Sequence, residues 1–209
     1  MIGHLRIGDT GAAENLIKEF HYSRRMPANI QCCATWHHDG GLFGDYGPAY
    51  AACLFSIPPT RWSEEVWELS RLVRRDDASC SLTGLIAKTI TFLRRSEAID
   101  LVVSFADSTQ GHHGGIYQAS SWEYDGKRGR MMDGILLNGV FVPGRSCNSK
   151  WGTRSPEKLR QMMPTADVQP HYDDGKHLYW KSLSRRGDAK ARRLGLKAEA
   201  YPKPDRVAA

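Results

Sequence analysis

The apolar run Leu101-Val102-Val103 and the polar block behind it, Ser104 to Ala119, constrain this chain more than any other stretch. β-Branched residues in a short run pack well on a pleated surface, so the run predicts a buried strand. The strand ends where Asp107 begins. Between Asp107 and Tyr117 stand a carboxylate, an amide, two imidazoles, a phenol and three glycines. Groups that move protons or bind ions, placed just past a strand's carboxyl end, predict an open α/β sheet with its ligand site there. Glycines 111, 114 and 115 let the backbone take positive φ or approach a substrate, and Ile116 to Ala119 can open a short helix. The competing reading is a Gly-rich polar turn with no function.

The chain has 209 residues, 41% of them apolar, enough for one substantial domain with an ample core. The expected division is a catalytic domain over 1–183 and a basic tail over 184–209. No run of about 18 apolar residues is present to cross a membrane. The N-terminus lacks the charged-then-apolar pattern of a secretion signal, so a cytoplasmic protein is expected. Five cysteines without CxxC spacing argue against a disulfide framework or a thiolate zinc site. Cys147, in Arg145-Ser-Cys-Asn-Ser-Lys150, reads as a bystander thiol or as one whose pKa the neighbouring cations lower.

Taken in order, Leu5 to Ile7 reads as a strand, and Asp9 or Thr10 can cap a helix with Ala12, Leu16, Ile17 and Phe20 on one face. His21-Tyr22-Ser23-Arg24-Arg25-Met26-Pro27 is a basic, aromatic turn whose arginines suit phosphate and whose His and Tyr can exchange protons; a solvated charged loop is the alternative. Cys32 to Trp36 and Ala49 to Ile57 read as strands. His37-His38-Asp39-Gly40-Gly41 between them reads as a hairpin connection, because adjacent side chains on a strand point apart and two neighbouring histidines rarely share one ion. Pro58 to Trp62 breaks the pattern.

Val66 to Val73 resumes as a strand, followed by a small polar loop and a helix from Leu85 to Leu93. That geometry offers backbone N–H groups and a helix N-terminus to phosphate, although no P-loop sequence is present and Ser81 also reads as a plain N-cap. Trp122 to Tyr124 is a further strand. Asn138-Gly139, between Met131 to Leu137 and Val140 to Val142, predicts a type I′ hairpin. Ser155-Pro156 starts a helix that runs through Met163. Lys176 to Leu183 is the last strand. Beyond it Arg185 to Arg193 is rich in cations, either ordered on nucleic acid or disordered. The net charge of +6 points to a polyanionic partner.

This order of elements, with a phosphate-competent loop before the central helix, resembles the GNAT type of acyltransferase: a mixed α/β (α+β) central sheet flanked by helices. A closer resemblance is carried by His21 to Pro27, Glu68-Leu69-Ser70-Arg71-Leu72, Ser104-Phe-Ala-Asp107, Gly111-His112, Ile116-Tyr117-Gln118-Ala119, Trp122 and Tyr124. These are similar to the Mom family of bacteriophage DNA-modifying proteins. The resemblance implies conversion of adenine to N6-carbamoylmethyladenine, which protects phage DNA from host restriction. It implies His21, Tyr22, Asp107 and Tyr117 as active-site groups, and Arg71, Ser81, Thr83 and Gly84 at the donor. The Gln/Arg-x-x-Gly-x-Gly/Ala loop of coenzyme A users is absent, with only Gly84 after Ser81 and Thr83.

Adenine N6 is a poor nucleophile, so transfer needs an acceptor for its proton and donors to a developing oxyanion. Asp107 suits the first role and Tyr117, His21 or Tyr22 the second. The donor is acyl-coenzyme A or a glycyl carrier such as aminoacyl-tRNA, since an N6 glycyl amide and an N6 carbamoylmethyl group are isomers. An iron route through His21, Asp107 and His112 or His113 is a further option. A base inside duplex DNA must be extruded. Arg24, Arg25, Lys127, Arg128, Arg130 and the tail are candidates for phosphate contacts, with Trp36, Trp62 or Tyr124 for stacking or, more simply, for the core. Two competing functions remain: a GNAT-type acyltransferase for a small amine or protein, and a nucleic-acid-binding protein without catalysis.

Overall fold

The computed structural model describes residues 3–38, 47–58, 62 and 66–203. The expected turn at His37 to Gly41 runs into residues 39–46, and the break at Pro58 to Trp62 into 59–61, which lie outside the described residues. The chain gathers into two compact units within the span read from sequence as one domain and its tail. The first holds 1–105, 114–126 and 178–209, the second 106–113 and 127–177.

In the first unit, β1 (Gly3–Ile7), β2 (Ile30–His38), β3 (Ala49–Ser56) and β4 (Trp67–Arg74) form an antiparallel meander. β5 (Leu101–Asp107), β10 (Lys176–Ser182) and β6 (Glu123–Lys127) complete a seven-stranded sheet of order β1-β2-β3-β4-β5-β10-β6. Two helices cover the meander's faces. α1 (Thr10–Phe20) is capped by Asp9, whose Oδ1 accepts from the Ala12 amide at 3.0 Å. Its Ala13, Leu16 and Ile17 pack with Cys33, Ala52, Leu54 and Val73. α2 (Leu82–Arg95) buries Leu85, Ile86, Thr89, Ile90 and Leu93. The Thr89 hydroxyl meets the Cys53 thiol at 3.2 Å, so Cys53 faces α2 while its neighbours Ala52 and Leu54 face α1.

The parallel contact of β4 with β5 is short. It consists of Trp67↔Val102 and Glu68↔Val103 alone among the described pairings. One residue further on, the ladder is replaced by a side chain: Ser104 Oγ lies 2.8 Å from the Leu69 carbonyl oxygen. The two strands part there, and α3 (Gly115–Ala119) and the aromatic rings of Tyr117, Trp122, Tyr124 and Tyr179 pack beyond.

The basic segment after Leu183 folds as α6 (Arg185–Arg193), capped by Ser184. Its Ala191 joins a core of Trp62, Val66, Leu101, Val103 and Leu178, with Leu194 and Leu196 packed alongside.

The second unit has its own sheet, of order β8-β7-β9, from β7 (Met132–Leu137), β8 (Val140–Pro143) and β9 (Val168–Tyr172). α4 (Gly144–Trp151) and α5 (Pro156–Met162) enclose a core of Ile135, Cys147, Leu159 and Val168. Positive φ at both Asn138 (50°) and Gly139 (79°) makes the β7–β8 connection the expected type I′ turn. Cys147 is fully buried on α4 beside the Val142 carbonyl, and burial pushes its thiol pKa up. The activated-thiol alternative is thereby overturned: the cations beside it in sequence do not outweigh the loss of solvent.

Candidate active site

Within the first unit the turn after α1 places His21 and Tyr22 together, with stacked rings 4.4 Å apart. His21 is buried and Tyr22 exposed. The Ser23 amide donates to His21 Nδ1 at 3.1 Å, and the Ser23 hydroxyl lies 2.9 Å from the same nitrogen. An amide can only donate, so Nδ1 is the acceptor and a neutral imidazole carries its proton on Nε2. His21 is thereby a hydrogen-bond donor at Nε2 rather than a base. The turn is tied to β4 by Arg71, whose Nε donates to the Arg25 carbonyl at 2.8 Å. Arg71, expected at the donor, holds the His21 turn through this bond. Arg24 and Arg25 are exposed on that turn.

Tyr117 is buried where β4 and β5 part. Ser104 Oγ lies 2.8 Å from both the Tyr117 hydroxyl and the Leu69 carbonyl. Serine has one hydroxyl hydrogen and the carbonyl can only accept, so the chain runs from Tyr117 to Ser104 to Leu69. Burial pushes the Tyr117 pKa up to about 12, with Tyr22 and Glu68 near enough to add to the rise. Tyr117 is therefore a neutral phenol at physiological pH. Glu68, half-buried on β4, is a carboxylate near Tyr117 that stands in the sequence only as part of the Glu68-Leu69-Ser70-Arg71-Leu72 motif. Its signal was an acid between two large apolar residues, Trp67 and Leu69, on a strand of the sheet.

Gly114 explains why the backbone must turn tightly before α3. Its φ is +85°, and a Cβ there would come within 2.1 Å of the Tyr179 ring. Tyr179 in turn receives a hydrogen bond from Gln118 at 3.0 Å.

The other expected donor residues stand at the start of α2. Ser81 Oγ accepts from the Gly84 amide at 3.1 Å and lies 2.7 Å from the Thr83 hydroxyl. Ser81 and Gly84 line a cleft of about 320 Å³ with Asp77, Ala78, Ser79, Cys80, Trp36, His37, Tyr50 and Gly3. An α-helix leaves its first-turn amides without intrahelical partners, which favours an anion at this end. The Gly84 amide is taken by Ser81, and the Asp77 carboxylate is held by the Arg75 guanidinium at 2.9 and 2.7 Å. A Cβ at Gly84 would meet only ordinary contacts, so the fold itself does not require glycine there. Trp36 lines the cleft, whereas Trp62 and Tyr124 are in the core.

Within the second unit Asp107 caps a single 3₁₀ turn, Ser108–Gln110, its Oδ1 accepting from the Thr109 amide at 3.0 Å. Lys176 Nζ stands 3.7 Å from Asp107 Oδ2 and 4.0 Å from Asp173. The Arg128 amide donates to the Lys176 carbonyl and Arg130 Nε to the Asp173 carbonyl, which ties these basic residues to the same turn. Lys127, Arg128 and Arg130 are exposed, as is His112. No group of three or more His, Cys, Asp or Glu side chains among the described residues is arranged to hold a metal ion, and the set His21, Asp107 and His112 is not gathered into one.

A meander of four strands, a capped helix and a parallel partner strand that parts from the fourth define the GNAT fold. A protein from Desulfovibrio desulfuricans described as a GNAT-family acetyltransferase superposes on this chain with TM-score 0.50 at 8% identity, covering 88% of this chain and 100% of its own. A Staphylococcus epidermidis protein described as an acetyltransferase (TM-score 0.49, 9% identity, 88% and 100% covered) is similar. So is the ribosomal-protein-S18-alanine N-acetyltransferase of Escherichia coli (0.49, 9%, 88% and 95%). Among curated proteins none matches the chain in sequence. The Mom protein family matches residues 4–203, and the chain belongs to that family. No helix among the described residues is long and apolar enough to cross a membrane.

Proposed function

We propose that this protein transfers a carbamoylmethyl-forming group to the exocyclic N6 of adenine in DNA, in the cytoplasm of a host cell, and so shields phage DNA from restriction. The observation that carries this reading is the family match over residues 4–203, which takes in His21, Tyr22, Asp107 and Tyr117.

The cleft at the start of α2 is the proposed donor site. Ser81 shapes the helix end, and its position suits the phosphate-bearing part of an acyl-coenzyme A or of a glycyl-carrying tRNA end. When bound, such a donor supplies an activated carbonyl. Attack by N6 forms an N–C bond and releases the donor's thiol or hydroxyl with a proton. With a glycyl group the resulting amide then isomerises, N6 exchanging its bond to the carbonyl carbon for one to the methylene carbon while the amino nitrogen makes the opposite exchange, so that no atom is gained or lost. His21 Nε2–H and the Tyr22 hydroxyl supply hydrogen bonds to the developing oxyanion. The N6 proton goes to a carboxylate: Asp107, by its place in the motif, or Glu68, half-buried on β4.

Mass spectrometry of nucleosides from plasmid DNA, isolated after expression in bacteria, tests the proposal. A deoxyadenosine heavier by the exchange of one hydrogen for a carbamoylmethyl group is expected, and absent with His21→Ala or Asp107→Ala. Unmodified DNA from folded protein supplied with phage and host extracts refutes it, and acylation of a small amine by the same protein replaces it.

A further inference from the structure

Residues 185–193 carry five Lys or Arg against one Asp, so four of the six net positive charges of the chain sit on α6. The helix is held by its small residues. A Cβ at Gly187 would come within 2.0 Å of the Asp100 carbonyl, and Ala191 is 1% exposed in the core. With Gly187 and Ala191 turned inward, helical periodicity turns Arg185, Ala189, Arg192 and Arg193 outward. All four are exposed.

Stability does not call for this arrangement. Arginine in a first helical turn opposes the macrodipole, and like charges one or two turns apart repel. Arg186 is compensated by Asp100 at 3.4 Å and Glu97 at 4.0 Å. The Asp100 carboxyl is held below the usual carboxylate range by the Ser184 hydroxyl first, then by Arg186 and Lys190. These acids lie on the Arg186 side of the helix. Arg94 adds to the patch, donating from the end of α2 to the Ser182 carbonyl at 3.3 Å. A small residue, Ala189, sits between Arg185 and Arg192, so a backbone can come close to the helix there.

We infer that the outward face of α6, centred on Arg185, Ala189, Arg192 and Arg193, is a docking surface for the phosphate backbone of duplex DNA. The surface binds without reading sequence and keeps the duplex on the protein while a base is modified. It rests on the proposed DNA-modifying function and names the face through which that partner is held.

The test is fluorescence anisotropy with a short labelled duplex over a range of salt concentrations. Each phosphate contact contributes a slope of about 0.9 in log affinity against log salt, so Arg185→Gln with Arg192→Gln should lower it by about 1.8. Arg185→Lys with Arg192→Lys keeps the charges and should keep the slope. Thermal melting of the double Gln variant should match the parent, because both side chains are exposed. An unchanged slope in the folded double Gln variant overturns the inference, as does parent protein that ignores duplex DNA yet binds vesicles of anionic lipid. Modified nucleosides with an unchanged slope sink this surface and spare the proposed reaction. A lowered slope with no modified nucleoside does the reverse.

Discussion

The Tyr117–Ser104–Leu69 chain gives a stability signature that ordinary packing does not. Ser104 is fully buried and its hydroxyl lies 2.8 Å from each partner. Ser104→Ala leaves the Leu69 carbonyl without its donor and the Tyr117 hydroxyl without its acceptor. At about 1.5 kcal/mol for each buried orphan, the cost is about 3 kcal/mol. Tyr117→Phe removes only a donor to Ser104, which still reaches Leu69, so its cost is about 1 kcal/mol. In the Ser104→Ala background Tyr117→Phe removes an orphan and should be neutral or stabilising. The double variant then sits about 2 kcal/mol below the parent, a coupling of about 2 kcal/mol against the sum of the singles. Urea unfolding followed by near-UV circular dichroism measures all four proteins, with unchanged slopes required for a like-for-like comparison. Additivity within about 0.5 kcal/mol would refute the chain, since it would mean that the Tyr117 hydroxyl finds water instead.

Further outcomes follow from the same geometry. Gly114→Ala combines a left-handed backbone with a 2.1 Å approach to the Tyr179 ring; a loss of about 2–4 kcal/mol, read as a fall in Tm of roughly 5–15 °C, is expected, whereas Gly111→Ala, with open space around it, should cost about 1 kcal/mol. Cys80 is the half-exposed thiol beside four buried ones, so a thiol reagent at pH 8 should modify it first; desulfo-coenzyme A should slow that reaction if the cleft is the donor site, and equal rates would argue against it. Stability should fall as pH rises above about 9. Cys32, Cys33 and Tyr117 titrate near 11, 12 and 12 when folded, against 9.0, 9.0 and 10.0 otherwise; the unfolded chain releases these protons first, so alkali favours unfolding. Tyr117→Phe should flatten the part between pH 10 and 12, which a pH series of urea midpoints can check.

Local chemistry made some elements legible and tertiary contact hid others. Asn138-Gly139 announced its turn because both residues take positive φ, and Ser81 and Ser155 announced helices because each accepts from a first-turn amide. α4 went unread because Arg145 to Lys150 shows no apolar period: Gly144 and Cys147 are its buried residues, and Gly152, left-handed at its end, was the available sign. β9 was masked by Pro170, which an edge strand tolerates. α6 was read as tail because it docks through Gly187 and Ala191, residues with almost no hydrophobic signature. Arg71 hid its tie to the His21 turn for a related reason. Its partner is a carbonyl 46 residues earlier in the chain, and nothing in local sequence marks which side of a strand an arginine will reach from.

The block from Ser104 to Ala119 thus divides its labour in a way that sequence alone could not resolve. Ser104 bridges the strands where their ladder ends, Gly114 clears the Tyr179 ring, and Tyr117 commits its proton to the interior. These three act in the interior where β4 and β5 part. Tyr22, by contrast, is 55% exposed and stacked on a histidine whose tautomer the turn itself sets. Groups that face solvent with a fixed proton are those able to meet a substrate. It follows that Tyr117→Phe should cost stability more than chemistry and Tyr22→Phe chemistry more than stability. Nucleoside yield per folded protein is the measure, and a reversed order would move the reacting groups from the His21 turn to the buried end of the split.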